Sequence, residues 1–269
     1  MCKRWKNGTL HLGSDTMHYI RFGSGKRTLI MLPGLGDGLT TVKGTALPMS
    51  VMYHCFARDF TVYMFSRRNA LTRGCSTRDM ARDLRDAMDA LQIPQADLVG
   101  VSMGGMIAQH FAADYPDRLG KLVLVVTCAQ ATPILTDSVQ EWIDLAQQGN
   151  HAGFMDSNVR RMYSDRYYRR NRWLVPVMGK LTKPKSYERF FIQAEACLAH
   201  DAVDRLQAIT APTLVIGGEK DAALGAEASR ELAAHIPQAS LRMYSEWGHA
   251  LYEEAKDFNQ VVLDFLRTP

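Results

Sequence analysis

Two kinds of hydrophobic pattern alternate along the chain. Short apolar or β-branched runs at residues 9–12, 16–22, 28–32, 60–65, 97–101, 121–127, 212–217 and 240–244 have the composition of strands. Between most of them apolar residues recur at helical spacing. The clearest case is 77–91, where Met80, Leu84, Ala87, Met88 and Leu91 share one face and Asp79, Arg82, Asp83, Arg85 and Asp86 the other. Residues 47–58, 103–115, 226–236 and 252–266 also predict helices, and Pro116 ends the second of these. Repeated strand–helix–strand units predict a mainly parallel sheet covered on both faces.

The alternation stops over 128–205, where helical patches at about 137–148, 158–168 and 185–199 are joined by no good strand. This predicts a helical insertion that divides the α/β core into residues 1–127 and 206–269. A chain of 269 residues, with 46% hydrophobic and 22% charged positions, suits one large domain carrying such an insertion and is far from disordered classes. The net charge of +4 does not argue for nucleic acid, but it is uneven. Between Asn158 and Phe190 ten basic residues stand against two acidic ones.

Cys2, Cys55, Cys75, Cys128 and Cys197 are odd in number and scattered, which suggests neither a disulfide framework nor a zinc site. The apolar run 122–129 is too short to span a bilayer, and no signal-peptide pattern opens the chain. The expectation is a reduced, cytoplasmic setting with no membrane span.

The chemistry centres on Gly100-Val101-Ser102-Met103-Gly104-Gly105. A G-x-S-x-G placed between a predicted strand and a predicted helix forces the serine onto a tight turn, where its hydroxyl is accessible and small neighbours let the backbones pass. The N–H of Met103 then opens the helix, available to a developing oxyanion. A serine hydroxyl needs a base, and the base a third group to hold its tautomer. His249, between the last strand and the last helix, is the expected base, and His110 the tempting wrong one. Asp221, just beyond strand 212–217, is the expected acid, with Glu219, Asp201 and Asp204 as competitors.

Taken with Leu32-Pro33-Gly34-Leu35-Gly36, the segment 211–221 and Gly248-His249, these features resemble the α/β-hydrolase fold family, in its capped esterase, lipase, lactonase and peroxidase-like branch. The resemblance covers nearly the whole chain. It implies an eight-stranded, mainly parallel sheet flanked by helices, with residues 128–205 as a cap over the site. It also implies the order serine, acid, histidine, and a second oxyanion donor in the N–H of Leu35, or of Gly36 if the loop shifts. Pro33 stands where the family usually has histidine, and Ser66–Ser76 lacks the usual aspartate and carries extra arginines, a change expected to affect how that loop packs.

The resemblance implies a serine hydrolase that cleaves small or medium carboxylic esters through an acyl-enzyme, with no cofactor and no metal. Acyl transfer, thioester, lactone or perhydrolase chemistry with the same triad are the alternatives, and a non-catalytic receptor is the competitor from another class. Gly34, Trp142 and Tyr163 are candidate substrate contacts. The basic stretch, Arg160, Arg161, Arg166, Arg169, Arg170 and Arg172 above all, predicts either a solvated face or a preference for anionic or carrier-linked esters. Tyr163, Tyr167, Tyr168 and Trp173, interleaved with it, would line the cavity mouth or anchor the cap.

Overall fold

In the computed structural model, which describes residues 5–268, the eight expected runs are all strands of one sheet. Cys2 lies outside the described residues. The strands are β1 (Lys6–Leu12), β2 (Asp15–Gly23), β3 (Arg27–Leu32), β4 (Phe60–Arg68), β5 (Ala96–Val101), β6 (Leu119–Val125), β7 (Thr213–Gly218) and β8 (Ala239–Tyr244). Their order is β1-β2-β4-β3-β5-β6-β7-β8. Only β1 and β2, and β2 and β4, pair antiparallel. The central strands β5, β6 and β7 are buried almost end to end, as strands covered on both faces must be.

The helices are α1 (Ala46–Met52), α2 (Thr77–Ala90), α3 (Met103–Asp114), α4 (Pro133–Gln147), α5 (His151–Met162), α6 (Asp165–Asn171), α7 (Val175–Leu181), α8 (Glu188–Leu198), α9 (Glu227–His235), α10 (Leu251–Glu254) and α11 (Phe258–Arg267). Two hydrophobic clusters result. Residues of α2, α3 and α9 bury one face of the sheet, and those of α1 and α11 the other. Ser76 starts α2 with a capping box, accepting from the Asp79 N–H while the Asp79 carboxylate accepts from the Ser76 N–H.

Register fixes where chemistry can occur. Leu32 pairs with Gly100, Val101 with Val125, and Val125 in turn lies beside Ile216. The carboxyl ends of β3, β5, β6 and β7 therefore finish together, and the loops that follow them crowd one edge of the sheet. Of the helices α4 to α8, all between β6 and β7, α4, α5 and α8 reach this edge too, since Trp142, Phe154 and Phe190 line the same cavity as Ser102.

Three expected helices are divided. The patch 158–168 breaks at Tyr163, which is extended, because the Ser164 side chain caps a new helix by accepting from the Tyr167 N–H at 3.2 Å. The stretch 47–58 becomes α1 and a 3-10 turn, His54–Arg58. The stretch 252–266 breaks at Ala255, and the buried apolar stripe of α11 begins only at Phe258. Helix α7 was not among the expected patches; its Pro176 stands in the first turn, where proline removes no helical hydrogen bond. Among the described residues no helix is long and apolar enough to cross a membrane.

Candidate active site

β5 runs straight into α3 through Ser102, whose backbone sits at φ 53° and ψ −121°. A non-glycine residue there is strained by about 1–3 kcal/mol, and the surroundings hold it in place. The Ser102 N–H donates to the Val125 carbonyl at 2.8 Å, and its own carbonyl accepts from the Thr127 hydroxyl at 2.8 Å. Close approach completes the turn: a Cβ on Gly104 would fall on the Leu32 carbonyl, so only glycine lets α3 start this near β3. Thr127 was not singled out in the sequence, where it is one more β-branched residue at a strand end.

The expected oxyanion donors are placed just as locally. Met103 is the first residue of α3, and Leu35 the first of a 3-10 turn, Leu35–Gly38, so neither N–H has an acceptor within its own helix. Gly34 packs directly on the serine, since a Cβ there would lie 3.3 Å from the Ser102 Cβ and 3.8 Å from its Oγ.

Beneath this loop, Arg67 donates from Nη2 to the Pro33 carbonyl at 2.6 Å and from its backbone N–H to Asp37 Oδ2 at 3.0 Å. Arg189, from α8, donates to the same Asp37 oxygen at 2.8 Å. Asp37 is buried, so this carboxylate ties the loop of Gly34 and Leu35 to both an extra arginine of the 66–76 segment and the insertion.

His249 and Asp221 meet at the ends of β8 and β7. His249 Nδ1 lies 2.8 Å from Asp221 Oδ2, and both residues are buried. The other Asp221 oxygen accepts from the Ala223 and Leu224 N–H groups at 2.9 and 3.1 Å. With Nδ1 turned to the acid, Nε2 is left for the cavity that His249 and Ser102 both line. The competitors go elsewhere. Glu219 is half-exposed and paired with Arg230 at 2.5 Å, Asp201 accepts from the Val203 N–H, and Asp204 belongs to the 3-10 turn Val203–Ala208. His110 is buried edge-on against His200, their rings 5.3 Å apart, away from the cavity lining.

The cavity holds about 460 Å³, the size of a small or medium organic ligand. Gly34, Trp142 and Tyr163 all line it, as does a largely apolar set including Val101, Met49, Phe154, Met155 and Phe190. No lysine or arginine is among its lining residues. Its one ionisable carboxyl open to a ligand is that of Glu253, on α10. Protein surrounds Glu253 on most sides, yet it keeps a large accessible surface, as a side chain projecting into a cavity does.

Glu253 accepts from the Tyr163 hydroxyl at 2.6 Å. Burial pushes its carboxyl above the ordinary range, the tyrosine hydrogen bond opposes the shift, and neighbouring Glu254 adds to it. Burial and then Glu253 push the Tyr163 phenol up in turn. The sequence did not single out Glu253. Its signal was a pair of carboxyls, Glu253-Glu254, four and five residues after the histidine.

The basic stretch is not part of the lining. Arg160 and Arg161 of α5 pair with Glu141, and Arg166, Arg169 and Arg170 of α6 are exposed to solvent. Of the interleaved aromatics, Tyr163 lines the cavity and stacks on Tyr167 with ring centres 4.2 Å apart, and Tyr168 donates to Asp156. Trp173 does neither of the things expected of it, being 70% exposed. Among the described residues no group of three or more histidine, cysteine or carboxylate side chains is arranged to hold a metal.

A family model for the alpha/beta hydrolase fold matches residues 27–256. A 2-hydroxy-6-oxononadienedioate/2-hydroxy-6-oxononatrienedioate hydrolase of Paraburkholderia phymatum is 30% identical over 265 residues, covering 93% of this chain and 90% of its own. Among solved structures, an alpha/beta hydrolase enzyme from a deep-sea metagenome library of the Medee basin superposes with a TM-score of 0.84 at 22% identity, over 97% of this chain and 98% of the other. The enol-lactonase of Burkholderia xenovorans does so with a TM-score of 0.82 at 23% identity, over 97% and 100%. With the sheet order, the strained serine and the Asp221–His249 pair already in view, the chain belongs to the alpha/beta hydrolase fold family of enzymes.

Proposed function

We propose that the protein hydrolyses a neutral, largely apolar ester or enol-lactone of small to medium size through an acyl-enzyme on Ser102. Ser102 Oγ attacks the carbonyl carbon while His249 Nε2 takes its proton, and the oxyanion forms against the N–H groups of Leu35 and Met103. His249 returns the proton to the departing oxygen. Asp221 holds the imidazole and stabilises its charged form. Water, activated by the same histidine, then attacks the acyl carbon, releases the acid and restores the serine.

The observation that carries the substrate class is the cavity's charge. It has no lysine or arginine in its lining and presents the Glu253 carboxyl, so a substrate carboxylate would meet desolvation with no counter-charge. A neutral acyl group loses nothing by entering. Helices α4 to α8 act as the cap in this reading, the apolar side chains of α4, α5 and α8 shaping the acyl site.

A second reading is hydrolysis of a 2-hydroxy-6-oxo-dienedioate, the substrate in the relatives' names, by breaking the carbon–carbon bond beside its ketone. It is favoured by the 30% identity over 93% of the chain. The dienedioate in that name carries two carboxylates, for which this lining has no partner. One panel decides: p-nitrophenyl esters of increasing chain length, an enol-lactone and a 2-hydroxy-6-oxo-dienedioate, each with a Ser102→Ala blank. Higher kcat/KM on neutral esters or the lactone is expected. Preferential turnover of the dienedioate makes the second reading the right one, and no turnover of any substrate removes both.

A further inference from the structure

No residue from Asp165 to Leu181 lines the cavity, and this stretch of the insertion carries a feature that the hydrolytic reading does not use. From Asp165 to Leu181 the chain is helical almost without interruption, as α6, the 3-10 turn Arg172–Leu174 and α7. Val175 and Gly179 are buried, and a Cβ on Gly179 would lie 3.4 Å from Ala152 of α5. That contact turns the opposite face outward. Trp173, Val177 and Leu181, spaced by four residues, lie on it with 70%, 52% and 77% of their surfaces exposed. Three large apolar side chains in register toward water are not the scattered exposure of an ordinary surface.

The same face is strongly cationic. Arg166, Arg169, Arg170 and Lys180 fall on it by helical spacing, Arg172 borders it, and Lys183 and Lys185 follow directly. All seven are exposed, and among the described residues none has a carboxylate within ion-pair distance, whereas Arg160, Arg161 and Arg189 of the same stretch are paired. A second copy seated on this face would bring two such clusters together, which repulsion opposes. An anionic surface with an apolar layer beneath satisfies both features at once: the headgroups take the cations and the acyl region takes Trp173, Val177 and Leu181.

We propose that the Asp165–Leu181 face docks the protein peripherally on anionic lipid bilayers, independently of the reaction in the cavity. The helix lies in the interface plane without spanning it, Trp173 and Leu181 inserting between headgroups ringed by arginine and lysine. Docked in this way, the cap side of the enzyme sits where apolar esters accumulate.

Co-sedimentation of the whole chain with phosphatidylcholine vesicles, with and without phosphatidylglycerol, tests this. Binding is expected only when phosphatidylglycerol is present, and it should weaken with salt. Trp173→Ser with Leu181→Ser should weaken partition at least about tenfold, and Arg169→Glu with Arg170→Glu by a similar factor. A blue shift of tryptophan fluorescence on vesicle addition should vanish in Trp173→Phe. Circular dichroism, and for the Trp173 and Leu181 variants hydrolysis of a soluble neutral ester, confirm that they fold. Absence of binding, equal binding to both vesicle types, or binding indifferent to these substitutions overturns the proposal. So does lipid-free self-association that the Trp173 and Leu181 changes abolish, or capture of an acidic carrier protein without vesicle binding.

Discussion

The core and the insertion present their groups to one cavity by opposite means. The core uses backbone: Ser102 is held at positive φ, the N–H groups of Leu35 and Met103 begin helices, and Gly34 and Gly104 let chains touch. The insertion uses side chains, Trp142, Phe154, Phe190 and Tyr163, together with ties such as Arg189 to Asp37 and Ser164 to Glu254. Backbone devices leave few choices of residue, so they can be read from sequence. Side-chain devices leave many, so the cavity lining can vary without disturbing the turn at Ser102.

The sharpest break in that contrast comes from the core. Replacing Ser102 by alanine, or His249 by alanine, should lower kcat by roughly 10⁵–10⁶-fold while leaving the fold intact. Covalent labelling by a fluorophosphonate, located by mass spectrometry, checks the assignment. Label on another serine, or undiminished labelling of the His249 variant, would mean that the strained turn is structural. Asp221→Asn comes next, at about 10⁴-fold in kcat, since the amide can hold the imidazole in the wrong tautomer. Glu219→Gln should change kcat little, because its carboxylate is occupied by Arg230 outside the cavity.

A tie between the two regions gives a smaller effect. Arg189 belongs to the insertion but holds Asp37 in the loop that carries Leu35, the proposed oxyanion donor. Arg189→Met leaves a fully buried carboxylate one partner short, at up to about 3–5 kcal/mol of stability. It should also let the Leu35 N–H drift, with kcat falling roughly tenfold and KM much less, short of the hundred- to thousandfold loss of a whole donor. A lowered Tm with unchanged kcat would show that Arg189 fastens the insertion without positioning the loop.

What could be read in the sequence follows the same division. All eight strands, the strained turn at Ser102 and the places of Asp221 and His249 beyond their strands were visible, because alternation, G-x-S-x-G and short loops after strands express backbone constraints. The break at Tyr163, helix α7 and the exposed side of Trp173 were not, because helical spacing alone does not say which face finds a partner. Glu253 was missed for a related reason. Whether a carboxyl after the histidine faces solvent or a cavity depends on Tyr163, ninety residues away.

Glu253 is also where the smallest and most selective effect is expected. Burial and Glu254 raise its native pKa, Tyr163 opposes the shift, and the Tyr53 and Tyr252 phenols are the other titratable groups around it. A carboxyl whose native pKa lies above its unfolded value is held preferentially in the neutral form. Its contribution to stability is therefore largest in acid and is lost as pH rises through the native pKa. Glu253→Gln keeps an acceptor for the Tyr163 hydroxyl and removes the charge, so its Tm should match or exceed that of the native chain at neutral pH, the difference shrinking toward acid. In catalysis the native enzyme should lose kcat/KM for a carboxylated ester as pH rises through this range, through KM, while a matched neutral ester is spared. The glutamine variant should lift that discrimination by a few-fold. If both esters respond alike to pH and to the substitution, Glu253 does not contact the acyl group, and the cavity excludes anions only by lacking a cation.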